Sequence, residues 1–311
     1  MAKQPKKKMN AFAKNKVSGW LFSYAFLAYP LLLFLVFYVY MNLNSFVLAF
    51  QHINLDGTRE FVGMDNVREF WNGVMKAGLI KISFWNSIWR YLLVHVVSIP
   101  LAIVWSWLLF RKFPGCSVVR LIVMVPAIVG SFVYSLVFKM FAGEPFQQVM
   151  QAIGFDKFPN VMESSKYVFG TTTFYSIWTS FATSLIIYPN AMRSIDPAIF
   201  ESAKIDGMHT MRQELWYIVL PLIYPTLTTF LVTGFSAIFS DSGPLVAFYM
   251  YSAPAETYTI GYMMTVQVFS DASSTANLPK VAAAGLVLTV IIGPLTLLLR
   301  WALDKLSPME D

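Results

Sequence analysis

The 311 residues are 57% hydrophobic, 16% aromatic and only 13% charged, with a net charge of +6. A soluble domain of this size is about a quarter charged, because its surface must hold water; this chain lacks that charge and reads as a polytopic membrane protein. Cys116, the single cysteine, excludes an internal disulfide and a multi-cysteine metal site, and His52, His95 and His209 are too scattered to share a metal.

Lys3, Lys6, Lys7, Lys8, Lys14 and Lys16 precede the first apolar run, 20–40. That run exceeds the roughly 7–15 apolar residues of a secretory signal and no small-residue cleavage site follows, so it reads as a retained span. The span also accounts for the lysines, as a cytoplasmic anchor, without a nucleic-acid partner. Crossing a bilayer takes about 20 apolar residues at about 1.5 Å each. Five more runs meet that need: 91–110, 121–138, 168–189, 218–239 and 281–299. The expected fold is all-α: a bundle of about six transmembrane helices over residues 20–303, between a basic segment, 1–19, and a tail, 304–311.

With both termini in the cytoplasm, the inside segments hold 14 Lys and Arg against nine outside, and seven acidic residues against ten. This is the bias of the positive-inside rule. The stretch 245–269 is apolar but carries Pro254 and Glu256. A charge at mid-bilayer costs about 2.5–3.5 kcal/mol, so a surface-lying or partly dipping helix is expected there in place of a seventh span. Arg90, at the outer end of the second span, reads as a side chain that snorkels to headgroups. Pro100, Pro126 and Pro294 fall inside spans; each removes a backbone donor and bends its helix, whether for packing or for movement.

The loop 190–217 between the fourth and fifth spans is the most informative segment. Asp196-Pro197 is a helix start, since the carboxylate can cap an exposed N–H and proline suits the first helical position. About two turns follow, and Gly207 suits the left-handed residue that closes a helix. Ser202 and Ala203 would let a partner surface approach closely. Physical reasoning leaves two readings open, a helix floating at the membrane surface and a docking helix.

At these residues the chain resembles the permease subunits of binding-protein-dependent ABC importers, within the carbohydrate-uptake group that includes MalF-like sugar permeases. Glu201-Ser202-Ala203 matches that family's EAA segment, with Ser202 in place of the usual alanine. Asp206-Gly207 matches its Asp-Gly pair, and Ile218-Val219-Leu220-Pro221 its closing Ile-x-Leu-Pro. Ser242-Gly243-Pro244 is a weaker echo of a Gly-Gly-Pro element.

The resemblance implies a coupling helix. Ile199, Phe200, Glu201, Ser202, Ala203, Asp206 and Gly207 would form the surface that docks on a cytoplasmic ATPase, with Ile199 and Phe200 as apolar anchors. Pro221 and Pro225 would make the joint to the fifth span a hinge. It further implies a second homologous permease, two ATPase subunits that hold ATP and Mg, and an extracellular or periplasmic solute-binding protein, all at a bacterial cytoplasmic membrane. The chain itself carries no GxxxxGK[ST] phosphate loop, so hydrolysis falls to partners and no cofactor is expected on this chain. The solute would be a sugar or oligosaccharide moved by alternating access. Tyr175, Trp178, Thr179, Thr229, Thr233 and Ser236 are candidate contacts, because sugars favour hydroxyls mixed with aromatic faces. The alternative is a secondary transporter or channel uncoupled from any ATPase. A secondary transporter is expected to carry buried carboxylates, and the central spans have almost none.

Overall fold

The computed structural model describes residues 20, 22–54, 56–111, 115–118, 121–122, 130–270 and 275–307. The basic segment 1–19, the tail beyond 307 and Pro126 lie outside those residues, as does part of the expected third span.

Helix α1, Phe22–Ala49, runs through a π-helical stretch, Phe34–Tyr40. A short hairpin follows, β1 Gln51–Ile53 antiparallel to β2 Arg59–Phe61, with Gln51 facing Phe61 and Ile53 facing Arg59. Helix α2, Asp65–Met75, is amphipathic and buries Asn66, Phe70 and Val74. Asn66 ties the hairpin to α1: its Nδ2 donates to the carbonyls of Ala49 at 3.1 Å and Gln51 at 2.7 Å.

Helix α3, Leu79–Phe110, starts twelve residues before the expected second span. Its buried positions include Ser83, Ser87, Arg90, Val94, Ser98, Ala102 and Ser106, a stripe stepping by three or four residues along one face. Lipid gives apolar side chains little reason to leave it, so membrane helices associate by close backbone approach, for which small residues are suited. The stripe packs against α6, Val168–Arg193, the most extensive helix pair in the fold. Ser98 Oγ and Ser180 Oγ meet across it at 3.3 Å. Between α3 and α6 lie α4, Ser131–Ala142, and α5, Glu144–Ala152.

After α6 come the short helix α7, Pro197–Ile205, and the long α8, Met211–Ser236. Two further short helices, α9 Leu245–Tyr249 and α10 Ile260–Phe269, precede the last helix, α11, Leu278–Lys305. Three apolar clusters hold the bundle. One joins α2, α10 and α11 through Phe70, Ile260 and Leu288. Another joins α3, α6 and α8 through Ala102, Tyr188 and Ile223. The third gathers Ala142, Met162, Tyr175 and Phe248.

Among the described residues, four helices are long and apolar enough to cross a membrane: Phe22–Ala49, Leu79–Phe110, Met211–Ser236 and Thr275–Lys305. Helix α6 has the length, 26 residues or about 39 Å, but its threonines and serines make it more polar. Most of those hydroxyls bond their own backbone, as Ser176 does to Thr172 O and Thr183 to Thr179 O.

One expectation is narrowed and one corrected. Of the two readings of residues 245–269, surface-lying or partly dipping, the burial of Leu245, Phe248, Ile260, Tyr262 and Met263 favours the dipping one. Polar contacts draw the segment into the bundle, with Asn86 Nδ2 donating to Glu256 O and Tyr258 O, and Ile260 N to Ser87 Oγ at 2.9 Å. Arg90, by contrast, does not snorkel. Because α3 begins at Leu79, Arg90 sits well inside the helix and is only 4% exposed.

Candidate functional site

At one end of the bundle, α7 is defined by its caps. Asp196 Oδ1 accepts the Ala198 N–H at 2.9 Å, and Pro197 takes the first helical turn. At the other terminus Gly207 adopts φ +95, while Gly207 N donates to Lys204 O and Met208 N to Ala203 O. These bonds satisfy the last carbonyls of the helix, as a left-handed closing residue does. Phe200 turns inward, its ring centroid 5.9 Å from that of Phe110 at the end of α3. Glu201, Ser202 and Asp206 face outward, with Ile199 39% and Ile205 87% exposed, and Ala203 is half-buried. Of the two expected apolar anchors, Ile199 is thus exposed and Phe200 is turned inward, while Ile205 is the more exposed isoleucine of α7.

The loop is fastened to α3 by a second device that sequence reasoning missed. Glu214, 3% exposed, pairs with Arg111 and accepts from Arg111 Nε at 2.9 Å and from Trp107 Nε1 at 3.3 Å. Thr210 opens this part of the chain with a reciprocal cap to Gln213. Immediately before Pro221, residues Leu215–Val219 are π-helical, and Leu220 N bonds Leu215 O. Proline has no N–H for the carbonyl of Tyr217, and the wider turn is the local adjustment. One turn on, Pro225 likewise withholds an N–H from Pro221 O, and Thr229 Oγ1 donates to Pro225 O at 2.7 Å.

Further along the bundle, α3, α4, α6 and α8 line an open cavity of about 850 Å³. Ser87, Arg90, Tyr91 and His95 line it from α3, Ser131 and Ser135 from α4, and Tyr175, Ser176, Thr179, Ser180 and Thr183 from α6. Asp241, Gly243 and Pro244 close one side. Gly243 has φ +58, which favours glycine, and a Cβ there would lie 2.5 Å from Arg90 Nη1, so the guanidinium would have to move. Helix α9 beside it is held by Lys139, which donates to Phe248 O, and by Tyr249, whose hydroxyl donates to Met162 O at 2.6 Å. Burial, with Glu163 near, pushes the Tyr249 phenol up to about 12.

Of the six expected solute contacts, Tyr175 and Thr179 line this cavity. Tyr175 is 4% exposed and shares a 2.8 Å hydrogen bond with Ser135. Trp178 instead lines an apolar groove with Tyr134, Phe138 and Phe181. Thr229 and Thr233 are exposed elsewhere on α8, and Ser236 belongs to a separate groove against α10 and α11. The residues overlooked were Ser87, Arg90, Ser135 and Ser176. The signal available for them was the period of small residues along α3 and the run of hydroxyls on α6.

No family model matches the chain. It is 25% identical over 290 residues to the arabinooligosaccharides transport system permease protein AraP of Bacillus subtilis (strain 168), covering 90% of this chain and 87% of that one. To the multiple sugar-binding transport system permease protein MsmF of Streptococcus mutans serotype c it is 25% identical over 288 residues, 91% and 94% of the two chains. Its fold matches a chain of the bacterial alginate ABC transporter solved in complex with alginate pentasaccharide-bound periplasmic protein, with a TM-score of 0.75 and 18% identity over 95% of this chain and 98% of that one. Over nearly its whole length the chain is thus similar to permeases of sugar ABC importers. The capped helix α7 lies at one end of the long helices, and the polar cavity lies nearer their middle. Helix α3 carries Arg111 at one end and the cavity residues Ser87 to His95 nearer the other.

Proposed function

We propose that the permease forms one half of a pathway for a sugar or oligosaccharide across a bacterial cytoplasmic membrane. A second, homologous permease supplies the other half. Two cytoplasmic ATPase subunits hold ATP and Mg and drive the cycle, and an extracellular or periplasmic binding protein delivers the solute. Both termini and α7 face the cytoplasm. The permease itself makes no covalent change to the solute and binds no nucleotide.

The observation that carries this reading is α7: a short helix capped at both ends, anchored inward by Phe200, presenting Glu201, Ile205 and Asp206 outward. A helix held this firmly can pass on a push from a partner, because its own ends do not fray. Ile199, Ser202, Ala203 and Gly207 complete the docking surface in this proposal. The π-helical turn before Pro221, with Pro225 one turn on, is where α8 would bend. Tyr175 and Thr179 would meet solute, and Trp178, Thr229, Thr233 and Ser236 remain candidates for contacts completed by the second permease.

Co-purification in mild detergent tests the assembly. The permease is expected to carry a second permease and an ATPase through the final step, and Ile205→Glu is expected to release the ATPase while leaving the permease pair intact. An intact permease pair that never retains an ATPase would sink the proposal.

A further inference from the structure

We infer that Arg90 is an anion-recognition site in the permease cavity, so that the solute is a saccharide carrying a carboxylate or phosphate. This deepens the importer reading and rests on it.

Arg90 occupies a position in the α3 stripe where every other buried member up to Ser106 is Ser, Val or Ala. It is 4% exposed and lines the cavity. Nη2 donates to Thr172 Oγ1 at 3.1 Å, and the guanidinium lies 5.7 Å from the centroid of the Phe169 ring. Nε and Nη1 have no acceptor among the described residues. Nor does any described carboxylate reach Arg90 within ion-pair distance. Asp241 shares the cavity wall, but its Oδ1 accepts the Gly243 N–H at 2.8 Å.

A buried cation whose neighbour on the cavity wall, Asp241, stays beyond ion-pair distance is only partly compensated, and within membrane-spanning segments such residues mark pathways and ligand sites. A packing role would be met more cheaply by another small residue of the stripe. The other polar groups around the cavity divide the work. Ser176 and Thr179 donate their hydroxyl protons to backbone carbonyls of α6, at 3.1 and 3.0 Å. They therefore offer the cavity lone pairs, which accept from sugar hydroxyls and do nothing for an anion. Arg90 supplies the cation that a carboxylate or phosphate needs, with unused N–H donors to match.

The test uses the assembled transporter in detergent, so that the binding protein does not decide the outcome. Ligand-induced shifts in its thermal midpoint are titrated with digalacturonate, with the neutral methyl ester of the same sugar, and with glucose 6-phosphate against glucose. Wild type is expected to prefer at least one anionic probe to its neutral partner by about ten-fold or more. Arg90→Gln should abolish that preference without weakening the neutral probe, and Arg90→Lys should retain part of it. Should Arg90→Gln not assemble, Asp241→Asn serves instead, and it should sharpen the preference by removing the competing charge. No preference in wild type, or an unchanged preference in Arg90→Gln, overturns the inference. A transporter that couples ATP to uptake yet shows no anion preference overturns it alone, whereas failure to retain an ATPase strikes the importer reading.

Discussion

Removing Arg111 and neutralising Glu214 should have unequal effects, although the two residues form one pair. Glu214 is 3% exposed and its partners are Arg111 and the Trp107 indole, while Arg111 keeps 38% of its side chain in contact with solvent. Arg111→Ala strands a buried carboxylate with one indole donor, a situation that costs about 3–5 kcal/mol. Glu214→Gln leaves a cation that water can solvate and an amide oxygen that still accepts. Its cost is the charge-assisted part of the hydrogen bonds, about 1–2 kcal/mol. The gap of about 2–3 kcal/mol corresponds, at about 2 °C per kcal/mol for a chain of this size, to a midpoint some 4–6 °C lower for Arg111→Ala. Tryptophan fluorescence during thermal unfolding of the detergent-purified complex measures it. A Glu214→Gln variant that melts at or below Arg111→Ala would refute the reasoning, because the desolvated carboxylate could not then be the costly partner.

Two further outcomes concern α7. A Cβ at Gly207 meets no neighbour within 4 Å, so φ +95 sets the main cost of Gly207→Val, about 1–2 kcal/mol; membrane insertion should be normal and ATP-driven uptake lost, as measured with radiolabelled sugar in vesicles. Asp196→Ala removes the cap on Ala198 N, worth about 1 kcal/mol. Amide exchange across Pro197–Ile205 should rise about five-fold, with α3 unchanged.

Much of the site at α7 was legible in the sequence because it is local. Asp196-Pro197 and Gly207 act through the backbone of their own few residues, so the caps follow from residue type and spacing. The same holds for the π-helical turn before Pro221, since Pro221 withholds an N–H from its own helix whatever surrounds it. Thr229, Thr233 and Ser236 were harder: their type suits a sugar, but which face of α8 meets the cavity depends on how α8 packs against α6 and α11. Their hydroxyls turned out to serve α8 itself.

The membrane setting, the helical fold and the short capped helix between two long ones were all readable from residue order. Each of these rests on apolar run length, proline and glycine placement, or capping chemistry, all of which act over a few residues. Only the tertiary structure decided the rest. Arg90 is an ordinary interfacial arginine when its distance from a helix end is misjudged, and a buried cation once α3 is seen to begin at Leu79 and to bury that face against α6. Glu214 and Arg111 are more than a hundred positions apart, and nothing local announces that they meet. The segment 245–269, charged and broken by proline, was pulled inward by Asn86 and Ser87, polar partners supplied by a helix far earlier in the chain.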